Sequence, residues 1–401
     1  SPPRRPHGGA AAFGPWLRTV LASSVASAPR VREIAPGESL RPFVDLSWKV
    51  NAGDPQWVPP LRMVFNALLD RRKHPFHQHA DVAYFLAERG GEPVGRIAAI
   101  VNHRSNEFHG DRVGFFGLFE SVDDPAVAAA LLDAAAAWLR ARGMEAMRGP
   151  FNLSTNDELY SGGVLVDGFD TPPTFMMGHN PSYYRALMES AGLKKVKDLV
   201  AYWKPDNRPT QRLLDGVERL GKREGWRVRS LDMRRFREEV ATIMEVYNSA
   251  WERNWGFVPM TEAEFENMAR EFRPVVDPDL VLIAETEAGE PIGFLLALPD
   301  LNQAIRPLRD GRLFPFGLFR FLWARRKIHS ARVLTLGLKP GYQQSGIGAA
   351  MYLRAFQEGA RKGYQNGEAS WILEDNHRMR QALEKTGATA YKTYRVYERA
   401  L

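Results

Sequence analysis

Leu334-Thr335-Leu336-Gly337-Leu338-Lys339-Pro340-Gly341-Tyr342-Gln343-Gln344-Ser345-Gly346-Ile347-Gly348-Ala349-Ala350 reads as an apolar strand, a glycine-rich turn and the start of a long helix. The first N–H groups of a helix have no intrahelical acceptor, and Gly346 and Gly348 lack a Cβ, so main chain can approach an anion closely at this bend. The helix dipole adds to the attraction. Strand, turn and helix together suit a diphosphate, and Gln343 and Gln344 can donate further hydrogen bonds.

The chain around this bend has 401 residues, 44% of them hydrophobic, which is enough for more than one core. Two domains are therefore expected. The absence of cysteine excludes a disulfide framework, a thiolate nucleophile and a Cys-bearing zinc site. His79, His103 and His109 show no ligand spacing, and no metal is expected. No apolar run reaches the ~18 to 20 residues that span a bilayer, and the basic start lacks the apolar stretch of a secretory signal. A soluble, cytoplasmic protein is the expectation. The formal charge of +7 favours anionic ligands. Its basic residues are scattered and no nucleic-acid recognition signature is present, which argues against nucleic acid as the partner.

The order of elements repeats. In the first half, hairpin strands at 81–88 and 93–101 flank Gly90-Gly91; a strand at 113–119, an alanine-rich helix at 125–142 and a short strand at 145–148 follow. In the second half, a hairpin at 280–287 and 291–298 crosses Gly289, followed by a strand at 332–338, a helix at 346–362, a strand at 369–373, a helix at 377–385 and a last strand at 390–397. Asn180-Pro181-Ser182 parallels Asn376-His377-Arg378 in the same frame. A period near ~200 residues implies two copies of one α/β unit.

The turn Gln343-Gln344-Ser345-Gly346-Ile347-Gly348 resembles the acyl-CoA loop of the GNAT superfamily of acyltransferases, Gln/Arg-x-x-Gly-x-Gly/Ala, in the strand-turn-helix setting which that family uses. The resemblance implies an α/β fold of two tandem GNAT-like domains, with mixed, mostly antiparallel sheets flanked by helices and a splay between the fourth and fifth strands. Residues 1–30 would form an arm, 31–205 a degenerate domain and 206–401 the cofactor-binding domain. Acetyl-CoA or a longer acyl-CoA would be held by Leu336, Leu338, Gln343, Gln344, Ser345, Gly346, Ile347, Gly348 and Asn376, the last also suited to cap the helix at His377. The first copy departs from this pattern: it reads Glu120-Ser121-Val122-Asp123-Asp124-Pro125, three carboxylates and no glycine where a diphosphate would sit.

The same resemblance implies direct attack by an amine on the thioester. Glu374 is the preferred base, at the end of the fifth strand, and a solvated acidic pair before a helix is the other reading of Glu374-Asp375. Tyr394 and Tyr397 are candidates to protonate the departing sulfur, with Tyr391 a third; core packing is the alternative for each. Asn156, Asp157 and Glu158, in a long connection after the first copy's fifth strand, and Glu285 at a hairpin end are candidates for acceptor binding. The acceptor would be the amine of a small molecule or peptide, and acyl carrier protein could replace coenzyme A as carrier. A non-catalytic acyl-CoA-binding or scaffold protein is the competing class. The aromatic run Leu313-Phe314-Pro315-Phe316-Gly317-Leu318-Phe319-Arg320-Phe321-Leu322-Trp323 suits an apolar lid, the wall of an acyl pocket, a domain interface or a peripheral membrane contact.

Overall fold

The computed structural model describes residues 28–156, 162–221, 225–252 and 254–401. Asp157, Glu158 and nearly all of the expected N-terminal arm lie outside these residues.

The hairpins form where their turns allow. β2 (Ala80–Arg89) and β3 (Glu92–Asn102) are joined at Gly90 and Gly91, whose φ of 58° and 84° an L side chain would resist. β4 (Val113–Ser121), the helix Pro125–Arg140 and β5 (Ala146–Gly149) follow. That helix opens with Pro125 at its first position and with Asp124 accepting from Ala126 N–H at 2.8 Å. Its apolar face (Val127, Leu131, Ala135 and Leu139 among others) is buried against the sheet, where Gly95 and Gly114 leave room for Leu131 and Leu139. Burial of each such leucine stabilises the fold by about 1.5–3 kcal/mol, and Leu131→Ala would open a cavity there at a cost of about 2–5 kcal/mol.

The first half continues with the short β6 (Val164–Asp167), the helix Tyr184–Ser190 and β7 (Lys194–Lys204). In the second half β8 (Trp226–Ser230) precedes the helices Phe236–Trp251 and Glu262–Phe272, the latter fixed by a Thr261/Glu264 capping box. Then come β9 (Val281–Thr286), β10 (Pro291–Pro299), β11 (Ser330–Leu338), the helix Ile347–Arg361, β12 (Asn366–Leu373), the helix His377–Lys385 and β13 (Thr389–Ala400).

Among the described residues all thirteen strands join one sheet, ordered β1 (Arg30–Glu33), β2, β3, β4, β5, β13, β7, β12, β11, β10, β9, β8, with β6 attached to β13. The two halves interlock by exchanging their last strands. β7 of the first half pairs with β12 of the second, and β13 of the second pairs with β5 of the first. β7 and β13 also pair with each other along most of their length, forming the seam. Packed over the seam is a cluster of Phe151, Leu165, Met177, Leu199, Tyr394 and Val396. The parallel contacts are β4 with β5 and β11 with β12; the other pairings are antiparallel. Among the described residues no helix is long and apolar enough to cross a membrane.

Candidate functional site

β11 and β12 run parallel from Ser330/Asn366 only as far as Val333/Ala369. Beyond that point β12 follows β7, with Ile372 opposite Val200, while β11 follows β10, and the two strands part. The gap opens into a cavity of about 840 Å³. One side of it is the edge of β11 from Val333 to Leu338, and the other is Ala369–Leu373. Gln343, Gln344, Gly346 and Gly348 line one end.

At that end Gly346 sits before the first helical residue with φ 86°. Ser345 Oγ donates to Tyr342 O at 2.6 Å, and Ile347 N–H donates back to Ser345 Oγ at 3.3 Å, which fixes the turn. Gly348 and Ala349, in the first turn, have no carbonyl four residues back within the helix, so their N–H groups are left for an outside acceptor. A Cβ on Gly348 would project among Leu336 and Leu338 at 3.7–3.8 Å, on the cavity side. These residues fit a diphosphate and, along the β11 edge, a chain that carries amides.

The far walls come from both halves. Tyr247 stacks on Trp251 with centroids 5.0 Å apart, and Trp251 meets Phe294 at 5.6 Å. Tyr247 hydroxyl donates to Asn156 Oδ1 at 3.1 Å, and Asn156 Nδ2 donates to Val258 O at 2.9 Å. Thr155 hydroxyl donates to Gly256 O at 2.9 Å, so the first half's long connection is tied to the loop that walls the cavity. Lys197, on β7, also lines it; its ammonium is held by Asp375 at 2.6 Å and lies 5.5 Å over the Trp255 ring. Lys197 in turn holds the Asp375 carboxyl below its ordinary range.

Beneath the cavity, where the strands begin to part, lies a buried ion pair. Arg332 and Glu368 are an in-register pair, both fully buried, with nitrogen and oxygen 3.6 Å apart. Glu368 accepts from Thr174 hydroxyl at 2.6 Å and from the hydroxyls of Ser370 and Tyr391. Arg332 Nε donates to Ser370 Oγ at 2.8 Å. Ser370, whose hydroxyl stands between Arg332 and Glu368, is among the residues that line the cavity. Burial and the Glu368 charge raise the Tyr391 phenol far above its ordinary range.

Of the residues expected from sequence, Leu336, Leu338, Gln343, Gln344, Gly346, Gly348, Asn376 and Asn156 line this cavity. Ile347 is buried under the turn, and Asn376 Oδ1 accepts from Met379 N–H at 3.1 Å as the helix cap. The structure places four others elsewhere. Glu374 is turned onto β7, bound by Lys195 at 2.6 Å and Asp198 N–H at 3.0 Å. Tyr394 is sealed in the seam, its hydroxyl donating to Gly178 O at 3.1 Å. Tyr397 belongs to the first half's core and donates to Glu189 at 3.3 Å, with burial pushing its phenol up to about 12. Glu285 is clamped by Arg227 and Arg229 on the outer strands β8 and β9. Sequence reasoning missed Ser370, Lys197, Trp251, Thr335 and Arg378, all of which line the cavity. Their only signal is their position beside the splay, which requires the strand order.

In the first half the corresponding splay is filled by the chain itself. Phe151 N–H donates to Phe116 O at 2.8 Å and Leu118 N–H donates to Asn152 Oδ1 at 2.8 Å, so residues 151–152 take the strand edge. Gly117 permits this, since a Cβ there would lie 1.5 Å from Phe151 O. The helix start beyond is capped by Asp124, which is paired with Arg89 at 2.7 Å. A cavity of about 100 Å³ remains. Among the described residues no cluster of histidine and carboxylate side chains could hold a metal ion.

Residues 240–388 match the model of the acetyltransferase (GNAT) family. The chain is 41% identical over 369 residues to a protein named bacterial ceramide synthase from Caulobacter vibrioides, covering 90% of this chain and 95% of that one. It is 36% identical over 397 residues to the protein YghO of Escherichia coli, with 96% and 98% covered. Among solved structures, a tandem GNAT protein from the clavulanic acid biosynthesis pathway superposes with a TM-score of 0.55 at 13% identity, covering 93% of this chain and 98% of that one. A GCN5-related N-acetyltransferase from Sphaerobacter thermophilus gives 0.51 at 14% identity, with 93% and 96% covered.

Proposed function

Since the chain belongs to the GNAT superfamily of acyl-CoA-dependent acyltransferases, as a two-copy member, we propose that it joins a long-chain acyl group to the amine of a single-chain amino alcohol of the sphingoid type. The observation that carries this reading is the 41% identity, along nearly the whole chain, to a protein named for ceramide synthesis. The cavity supports it: about 840 Å³ lies toward the upper end of the ~300–1,000 Å³ usual for ligand sites, with Leu336, Trp251, Phe257 and Trp371 among its walls.

Bound acyl-CoA supplies a thioester carbonyl, so that the amine gains the acyl group and coenzyme A leaves as the free thiol. The chain's own residues do the rest. The amides of Gly348 and Ala349, with Gln343 and Gln344, hold the diphosphate; Arg378 at the rim pairs with a further phosphate; and the main chain of Thr335–Leu338 pairs with the pantetheine amides. An N–H of that strand, near Leu338, polarises the thioester carbonyl. The acceptor enters between the Tyr247–Trp251 stack and the wall of Thr155 and Asn156. Ser370 takes a proton from the ammonium form of the acceptor while passing its own to Glu368, which Arg332 and Thr174 keep in place. Glu368 thus takes the role first expected of Glu374, whose carboxylate is engaged with β7.

Donor selectivity tests the reading. Palmitoyl-CoA should exceed acetyl-CoA in kcat/KM with a sphingoid acceptor, and palmitoyl acyl carrier protein, which lacks the nucleotide half, should fall below palmitoyl-CoA. Equal or better use of acetyl-CoA would contradict the long-chain assignment. Release of thiol without amide would mean that the acceptor class is wrong.

A further inference from the structure

The aromatic run singled out in the sequence folds as the loop before, and the body of, the helix Gly317–Arg325, in the connection between β10 and β11. Its inner side is anchored: Phe321 packs with Val58, Leu301 and Ile305, and Ala324 is buried. Its outer side faces solvent. Phe314, Phe316, Phe319 and Trp323 are 67%, 73%, 72% and 61% exposed, and Leu322 is 47% exposed. Phe316, Phe319, Leu322 and Trp323 follow helical spacing, so they form one stripe instead of scattered contacts. The loop that leads into it is tied to the helix Arg62–Leu69, whose Arg62 N–H donates to Gly311 O at 2.9 Å.

An apolar stripe of this size is uncommon on a soluble surface. Its charges indicate what covers it. Between Gly311 and Ser330 there are five arginines and lysines (Arg312, Arg320, Arg325, Arg326 and Lys327) and no aspartate or glutamate. All five are exposed, and Lys327 lies 3.5 Å over the Trp323 ring, at the edge of the stripe. Aromatic and leucine side chains on one face with a rim of cations match the interfacial layer of an anionic bilayer, where rings enter the headgroup boundary and cations meet lipid phosphates. The stripe and the cleft are joined by packing: Phe175 packs both on the Phe321 cluster beneath the stripe and on the cluster containing Leu334 of the cavity wall.

We infer that this face seats the protein on the surface of an anionic phospholipid bilayer. The inference does not depend on the acyl acceptor, and its test needs no acyl-CoA. The full chain is sedimented with vesicles of phosphatidylcholine containing phosphatidylglycerol, and with vesicles of phosphatidylcholine alone. Binding is expected to the first and at least ~10-fold weaker binding to the second, falling as salt is raised. The double variant Phe319→Ser/Trp323→Ser should weaken binding to anionic vesicles by about tenfold or more with an unchanged melting temperature. Arg320→Gln/Arg326→Gln should reduce the preference for phosphatidylglycerol. Parent protein left in the supernatant with anionic vesicles, or a serine variant that binds as the parent does, overturns the inference. So does a parent dimer in analytical ultracentrifugation that the serine variant abolishes while vesicle binding is unchanged, since the face would then join two copies of the chain.

Discussion

Leu118 N–H donates to Asn152 Oδ1 at 2.8 Å, and this bond closes in the first half the strand edge that stays open along Thr335–Leu338 in the second. The proposed site therefore predicts one donor bound per chain. Calorimetric titration with coenzyme A should give one equivalent bound; two equivalents would mean that residues 151–152 yield their place.

The proposed diphosphate cradle can be challenged without harm to the fold. Gly348→Asp places a carboxylate in the first turn of a helix, which favours the helix by about 0.3–1 kcal/mol, yet sets it against the phosphates. Coenzyme A affinity should fall by at least ~10-fold while the melting temperature holds or rises. An unchanged affinity would place the diphosphate elsewhere.

These two features differ in how far they were legible in the sequence. The glycine turn, the hairpins at Gly90-Gly91 and Gly289, and the repeated element order are local signals, and each forms where expected. β7 was not expected as a strand, because Lys194-Lys195-Val196-Lys197-Asp198 opens it with charges that only its partners explain: Lys195 and Lys197 meet Glu374 and Asp375 across the strand pair. The exchange of β7 and β13 between halves is long-range pairing that no local pattern encodes. It also decides the fate of Tyr394 and Tyr397, since a strand in mid-sheet is covered on both faces and hides both rings. Arg332 and Glu368 are polar residues in apolar strands, and their partnership exists only through the parallel register of β11 and β12.

That pair should be costly to break. Glu368→Ala leaves Arg332 buried without its counter-charge and removes the acceptor of Thr174, Ser370 and Tyr391. A loss of about 3–5 kcal/mol is expected in urea unfolding. Ser370→Ala, which keeps the ion pair, should cost far less stability but lower kcat by about 10²-fold or more. A Ser370→Ala enzyme with full kcat would remove Ser370 from the proton path.

Asn156 links the halves at the cavity wall. Asn156→Ala forfeits the bonds to Val258 O and Tyr247 hydroxyl, so about 1–3 kcal/mol of stability should be lost. KM for the acceptor should rise with little change in the KM for acyl-CoA. A rise confined to acyl-CoA would assign this wall to the donor.

Stability should also fall in mild acid. Burial, with the neighbouring His77 adding to it, pushes the His74 imidazole from 6.5 down to about 4. The unfolded chain therefore binds more protons between those values, and the contribution is complete above 6.5 and lost as pH drops toward 4. It amounts to roughly 3 kcal/mol. His74→Leu should flatten the dependence of the urea midpoint on pH in that window; a parent-like slope would assign the effect to other groups.

The most direct test of the central claim is to incubate the purified chain with palmitoyl-CoA and a sphingoid base and to quantify the products by mass spectrometry. The N-palmitoyl amide should accumulate with one free coenzyme A thiol per amide, and Gly348→Asp should suppress both together. Amide formation that survives Gly348→Asp at saturating parent rates, or no amide from any long-chain donor, would contradict the assignment of the β11–β12 cleft as the site of acyl transfer.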